Sequence, residues 1–102
     1  MNSLAVVERE AAASTIKVTD DELIVSLVDG RVISVPINWY PRLSHGTVEE
    51  RSHYELMGRG TGIHWPLLDE DISVSGLLKG NPSFESENSL QKWLDERRGK
   101  NP

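Results

Sequence analysis

Apolar and polar residues alternate over Thr15–Val18, where Ile16 and Val18 flank Lys17. This is the period-two pattern of a half-buried strand. Asp20-Asp21-Glu22 reads as a turn, and Leu23–Val28 follows, rich in β-branched residues, with Leu23, Val25 and Leu27 on one face. Asp29-Gly30 then predicts a two-residue hairpin of type I′, a turn that needs positive φ at both positions. Arg31–Val35 returns as the next strand, with Ile33 and Val35 on the side opposite Val32 and Ser34. Pro36 has no N–H to give to a ladder, so it ends that strand or confines it to an edge.

Beyond Pro36 the period lengthens. Asn38 is the expected N-cap of a short helix through Trp39, Tyr40, Arg42 and Leu43, with Pro41 in the first turn and Gly46 as a left-handed stop. Thr47-Val48-Glu49-Glu50 is a capping box, which predicts a second helix to about His53. Tyr54–Met57 reads as a strand, Gly58-Arg59-Gly60-Thr61-Gly62 as a loose turn, and Ile63–Trp65 as the last strand. Ser73 then caps a helix carrying Val74, Leu77 and Leu78, stopped by Gly80 and Pro82. After a linker over Asn81–Glu85, Ser86 caps a final helix with the apolar stripe Leu90, Trp93 and Leu94. Glu87 in its first turn and Arg97-Arg98 in its last complement the helix dipole.

These elements predict an α+β fold: a small, largely antiparallel sheet of four or five strands, short helices on one face, and a C-terminal helix. The expected organisation is a flexible N-terminal arm over 1–14, a compact α+β domain over 15–80, and a linker plus C-terminal helix over 81–102.

Composition narrows the function. The chain has 102 residues, the length of one domain with one modest core. It has no cysteine, which excludes disulfides and thiolate metal sites and fits a reducing cytoplasm. No apolar run approaches the ~20 residues that span a bilayer. The N-terminus shows no basic leader before an apolar stretch, so the expected location is the cytoplasm, away from membranes. The net charge of −5, from 16 acidic and 11 basic residues, opposes capture of a phosphate backbone. The basic residues are also scattered along the chain, so a small basic protein is a better partner than nucleic acid. The oligomeric state stays open.

Candidate chemistry is sparse. Asp69-Glu70-Asp71 offers carboxylates for acid–base work or a divalent cation, yet consecutive side chains point apart and a calcium loop's glycine is missing. Carboxylates ahead of a helix start also have a structural use. His64 stands beside Trp65, and no two of His45, His53 and His64 have the i, i+4 spacing of a metal-binding helix face. The glycine turn around Arg59 resembles a phosphate cradle but lacks the Lys-Ser/Thr ending of a nucleotide loop, and it reads more simply as a wide hairpin turn. No Gly-x-Ser-x-Gly elbow occurs. Trp39, Tyr40 and Trp65, with Arg42 beside them, are candidates for an aromatic interaction surface or for core volume. No cofactor and no metal are expected. A non-catalytic interaction or regulatory module is the leading reading. A small-ligand-binding protein or minor enzyme using Arg59, His64 and the acidic triplet is the alternative.

Several blocks in register carry a resemblance: Asp29-Gly30-Arg31, Ser34-Val35-Pro36, Trp39-Tyr40-Pro41-Arg42-Leu43, Gly62-Ile63-His64-Trp65-Pro66, Leu68-Asp69-Glu70-Asp71-Ile72-Ser73-Val74 and Gly76-Leu77-Leu78. Over about residues 15–80 the chain resembles a bacterial family known only as domain of unknown function 2442. The resemblance implies a small α+β fold with no established activity. It also implies frequent encoding beside another small protein in a toxin–antitoxin-like pair. Some relatives append a helix-turn-helix domain, for which the residues after Gly80 leave no room.

Overall fold

The computed structural model of the chain describes residues 10–99. Most of the expected arm, residues 1–9, lies outside the described residues, as do residues 100–102. Strands β1 (Ala13–Val18), β2 (Glu22–Leu27) and β3 (Val32–Pro36) form an antiparallel meander in that order. Along β2 the predicted alternation holds, with Leu23, Val25 and Leu27 buried and Glu22 exposed. The β2–β3 connection is not the expected type I′ turn. Gly30 has φ +99° but Asp29 does not have positive φ. The Leu27 N–H donates to the Arg31 carbonyl at 2.7 Å, and the Gly30 N–H donates to the Leu27 carbonyl at 3.0 Å. The loop is therefore three residues long, a type I turn closed by a left-handed glycine. Asp29 stays out of the left-handed region and accepts from the Arg31 backbone N–H at 3.0 Å and from its Nε at 2.9 Å.

After Pro36 the chain makes a 3-10 turn over Ile37–Trp39, then α1 (Pro41–His45) and α2 (Val48–Ser52). Asn38 is not the predicted N-cap: it lies inside the 3-10 turn, and Tyr40, at φ −127° and ψ 87°, precedes α1. The cause is Pro41, which starts a helix well but drives the residue before it out of the helical region. Gly46 also departs from expectation, with φ −76° instead of a left-handed conformation. Its small size matters through contact, since a Cβ there would fall 3.0 Å from Leu68 Cδ1. The capping box of α2 is present in both directions, with Glu50 N–H to Thr47 Oγ1 at 3.1 Å and Thr47 N–H to Glu50 Oε1 at 2.8 Å.

Strands β4 (Glu55–Met57), β5 (Gly62–Trp65) and β6 (Glu70–Ser73) form a second antiparallel meander. The fold is thus α+β with two three-stranded sheets, not one sheet of four or five strands. Three helical segments separate β3 from β4, so β4 opens a new ladder, paired among the described residues with β5 alone. Where the sheets meet, the described residues form no ladder, and Ala13 N–H donates to the Gly60 carbonyl at 2.7 Å. Gly60 has φ +89°, and a Cβ on it would lie 2.6 Å from the Ala13 carbonyl oxygen. Close approach therefore demands glycine here.

Two further helices complete the chain. In α3 (Val74–Leu78), Ser73 Oγ accepts from Gly76 N–H at 3.1 Å as predicted. In α4 (Glu87–Gly99), Ser86 Oγ accepts from Ser89 N–H at 3.1 Å. One core joins both sheets: Leu23, Val25 and Val35 from the first, Ile63, Trp65 and Ile72 from the second, with Leu43, Leu68, Val74 and Leu77 between them.

Candidate functional site

The acidic triplet sits in and just ahead of β6, the strand that leads into the Ser73 cap of α3, and strand alternation divides it. Glu70 pairs across the ladder with Trp65, while Asp71 pairs with His64. Successive strand residues face opposite sides, so the two carboxylates cannot share one ion. Asp69 turns the chain back at φ +52° and is exposed.

On the outer face of the second sheet, His64 Nδ1 meets Asp71 Oδ1 at 2.5 Å, and Glu55 stands opposite His64 on the other neighbouring strand. Neither an ion pair nor a side-chain hydrogen bond joins Arg59 to this row among the described residues. Nor is any cluster of three or more His, Asp or Glu among them arranged to hold a metal ion.

The inner face carries a denser arrangement. Glu70 is half-buried, and burial, reinforced by the nearby Glu85 charge, pushes its carboxyl up to about 7 against the opposing pull of Arg42. Tyr40 is buried, and desolvation with the Glu70 charge raises its phenol to about 12. Its hydroxyl donates to the Asn81 carbonyl at 2.7 Å, which pins the start of the linker. Trp39, half-buried against the core, accepts from Ser83 N–H through its carbonyl at 2.9 Å and pins the next stretch. Arg42 grips Glu85 with Nη2 at 2.6 Å and Nε at 3.0 Å, holding that carboxyl below the usual range. The same guanidinium reaches the Leu68 carbonyl at 3.2 Å and lies 4.9 Å from the centre of the Trp93 ring.

Arg97 covers the same ring at 4.6 Å and donates twice to Glu50, each bond 3.0 Å, holding Glu50 down in turn. Trp93 is thus stacked with two guanidiniums, each fixed by a bidentate carboxylate. This clasp binds α4 to the domain although none of the helix's residues is fully buried.

Of the sequence candidates, Trp65 and Tyr40 are not surface groups. Trp65 is fully buried, 6.5 Å from Tyr54 ring to ring, and its Nε1–H donates to the Arg51 carbonyl at 2.9 Å. Tyr40 is closed off by the linker it holds. The structure brings together Tyr40, Arg42 and Glu70, but places His64 and Asp71 on the other face and Arg59 in the glycine turn. Sequence reasoning missed Glu50, Glu85, Trp93 and Arg97 as one assembly. The available signal was the i, i+4 spacing of Trp93 and Arg97 on a helix. It also missed Arg51, which donates to the Leu43 and Ser44 carbonyls at 2.8 and 2.9 Å and so closes the end of α1.

The fold and the clasp define a small α+β unit of two short sheets with an accessory C-terminal helix. The chain belongs to the family described as protein of unknown function (DUF2442), whose sequence profile matches residues 13–83. A crystal structure of a protein of unknown function from Rhodospirillum rubrum superposes with a TM-score of 0.64 at 27% identity, over 78% of this chain and 96% of that one. A solution structure of an uncharacterized protein from Chromobacterium violaceum shares the fold, with a TM-score of 0.61 at 19% identity, over 79% of this chain and 74% of that one. No curated protein matches the chain. No helix among the described residues is long and apolar enough to cross a membrane.

Proposed function

We propose that this chain is a non-catalytic, cytoplasmic protein-interaction module. In this reading it is the acidic, antitoxin-like or regulatory member of a two-protein pair, and its partner is a small basic protein encoded nearby. One observation carries the reading: most arginines are paired within the chain, and among the described residues the exposed carboxylates left without a partner outnumber the exposed cations Lys17, Arg59, Lys79 and Lys92. Arg31, Arg42, Arg51, Arg97 and Arg98 are all ion-paired within the chain. Asp21, Glu22, Glu49, Glu55, Glu87 and Glu96 are exposed and have no ion-pair partner among the described residues. Surplus surface charge of one sign steers and selects an oppositely charged partner more than it stabilises a fold.

Calorimetric titration against the product of the adjacent reading frame tests this. Binding is expected, and it weakens as salt rises, because exposed charges are screened within about 8–10 Å at physiological ionic strength. A second reading, a small-ligand site, draws on the contact between His64 and Asp71. No binding at low or high salt, joined to a metabolite- or metal-dependent rise in melting temperature that His64→Ala abolishes, overturns the interaction reading in its favour.

A further inference from the structure

Arg97 on Glu50 holds the far end of α4, and Arg42 holds its start. Arg42 grips Glu85, the residue before the Ser86 cap, and the same carboxylate accepts from Ser89 Oγ at 2.7 Å in the first turn. The guanidinium also lies against the Trp93 ring. Its other edge is turned to the second sheet. There Nη1 donates to the Leu68 carbonyl, and it lies 3.4 Å from the Asp69 carbonyl and 3.8 Å from Asp69 Oδ2. Glu70 is the next residue along. It opens β6 half-buried beside Tyr40, yet among the described residues its carboxyl has no ion pair and no side-chain hydrogen bond. Two carboxyls thus compete for one arginine; Glu85 has it and Glu70 goes without. A half-buried carboxyl lacking donors favours its protonated form, in keeping with the rise of Glu70 to about 7. The groups that face Glu70 are Glu85 from the linker, Arg42 and Tyr40 from the first helical stretch, and Asp69 and Asp71 beside it in the chain. Among these Arg42 alone favours the ionised carboxylate.

We propose that Glu70, Arg42 and Glu85 form a proton-operated latch for α4. With its proton on, Glu70 leaves Arg42 to Glu85 and the helix is held. Once ionised, Glu70 repels Glu85 and draws on Arg42, and the start of α4 lets go. The sign follows from linkage. In the open state Glu85 has withdrawn and Arg42 is free to pair with Glu70, so the open chain binds the proton more weakly than the closed one. Rising pH therefore favours opening. A Glu70 that returns from about 7 to its ordinary 4.5 on opening raises the opening constant about tenfold between pH 6 and pH 8. Glu50, held down by Arg97, is ionised throughout that window and adds no pH dependence of its own. The latch does not rest on the interaction reading, since it concerns α4 with or without a partner.

Hydrogen exchange of the full chain at pH 6 and pH 8 tests it, read as protection factors, which divide out the intrinsic pH dependence of amide exchange. Protection across Glu87–Gly99 is expected to fall about tenfold at pH 8, with β2 and β5 unchanged. In Glu70→Gln the fall is expected to vanish, because the amide stays neutral at either pH. Linkage also runs in reverse. Carbon-13 NMR of the Glu70 carboxyl is expected to show a titration midpoint of about 7 in the wild type and a lower one in Arg97→Ala, where α4 is loosened at its other end. That second measurement decides the matter should Glu70→Gln fail to fold. Equal protection of α4 at both pH values overturns the proposal, as does a midpoint that Arg97→Ala leaves unmoved. So does a fall that persists in Glu70→Gln, which would trace to His45, His53 or His64 instead. Protection lost together in α4, β2 and β5 overturns it as well, because the helix would then not open by itself.

Discussion

Trp65 fills the centre of the core and donates its indole N–H to a backbone carbonyl, so truncation removes both volume and a satisfied donor. Trp65→Ala is expected to cost about 3–5 kcal/mol, a large share of a typical margin of about 5–15. Urea denaturation measures it; a variant with an unchanged midpoint would mean the ring is not part of the core. Glu70 makes the opposite kind of prediction. Its folded carboxyl sits at about 7 against an ordinary 4.5, so the folded chain keeps a proton the unfolded chain releases. That contribution is fully present below about pH 4.5 and is lost as pH rises to about 7. Glu50 and Glu85 are held down by arginines, and their contributions run the other way, fading as pH falls through the carboxylate range. Glu70→Gln is expected to raise stability at pH 8 by about 1–2 kcal/mol, discounted for partial exposure, with no gain near pH 4. Melting curves of both proteins across that range check it, and a gain that persists at low pH would trace to packing instead. That the triplet's side chains diverge was legible from backbone geometry. Which carboxylate turns inward was not, because it depends on the pairing of β6 with β5.

Helix starts were readable wherever one side chain answers one orphaned N–H, as Thr47, Ser73 and Ser86 do. Asn38 misled because a nearby Pro41 outweighed its capping chemistry, and Gly46 because a packing contact, not a left-handed φ, requires it. The two turn glycines separate these causes experimentally. At Gly30 an added Cβ meets nothing within 4 Å, so Gly30→Val should cost only the backbone strain of a left-handed β-branched residue, about 1–3 kcal/mol. At Gly60 the strain is joined by a collision with the Ala13 carbonyl at 2.6 Å, so even Gly60→Ala is expected to cost more. Thermal melts of the two variants rank them. A milder effect at Gly60 would show that the bond between the sheets gives way cheaply.

At the scale of the whole molecule, strands with strong alternation were visible one by one, but their division into two ladders was not. Ladder membership is set by pairings between distant residues, and here by the helical segments between Pro36 and Glu55 that carry the chain off the first sheet. The docking of α4 was hidden for a related reason. Its stripe of Leu90, Trp93 and Leu94 announces a helix with one apolar side, while the groups that hold it, Arg42 and Glu50, are more than forty residues away in sequence. Because α4 buries no residue fully, it should open without the rest of the domain. Arg42→Ala removes the grip on Glu85 and one of the two cations over Trp93 at a single stroke. The expected outcome is fast amide exchange across Glu87–Gly99 with protection kept in β2 and β5, since neither strand touches the clasp for its ladder bonds. Exchange rising together in α4 and both sheets would make the helix part of the cooperative core. In that event its release could not precede binding of a partner, and the domain would have to recognise its target with α4 in place.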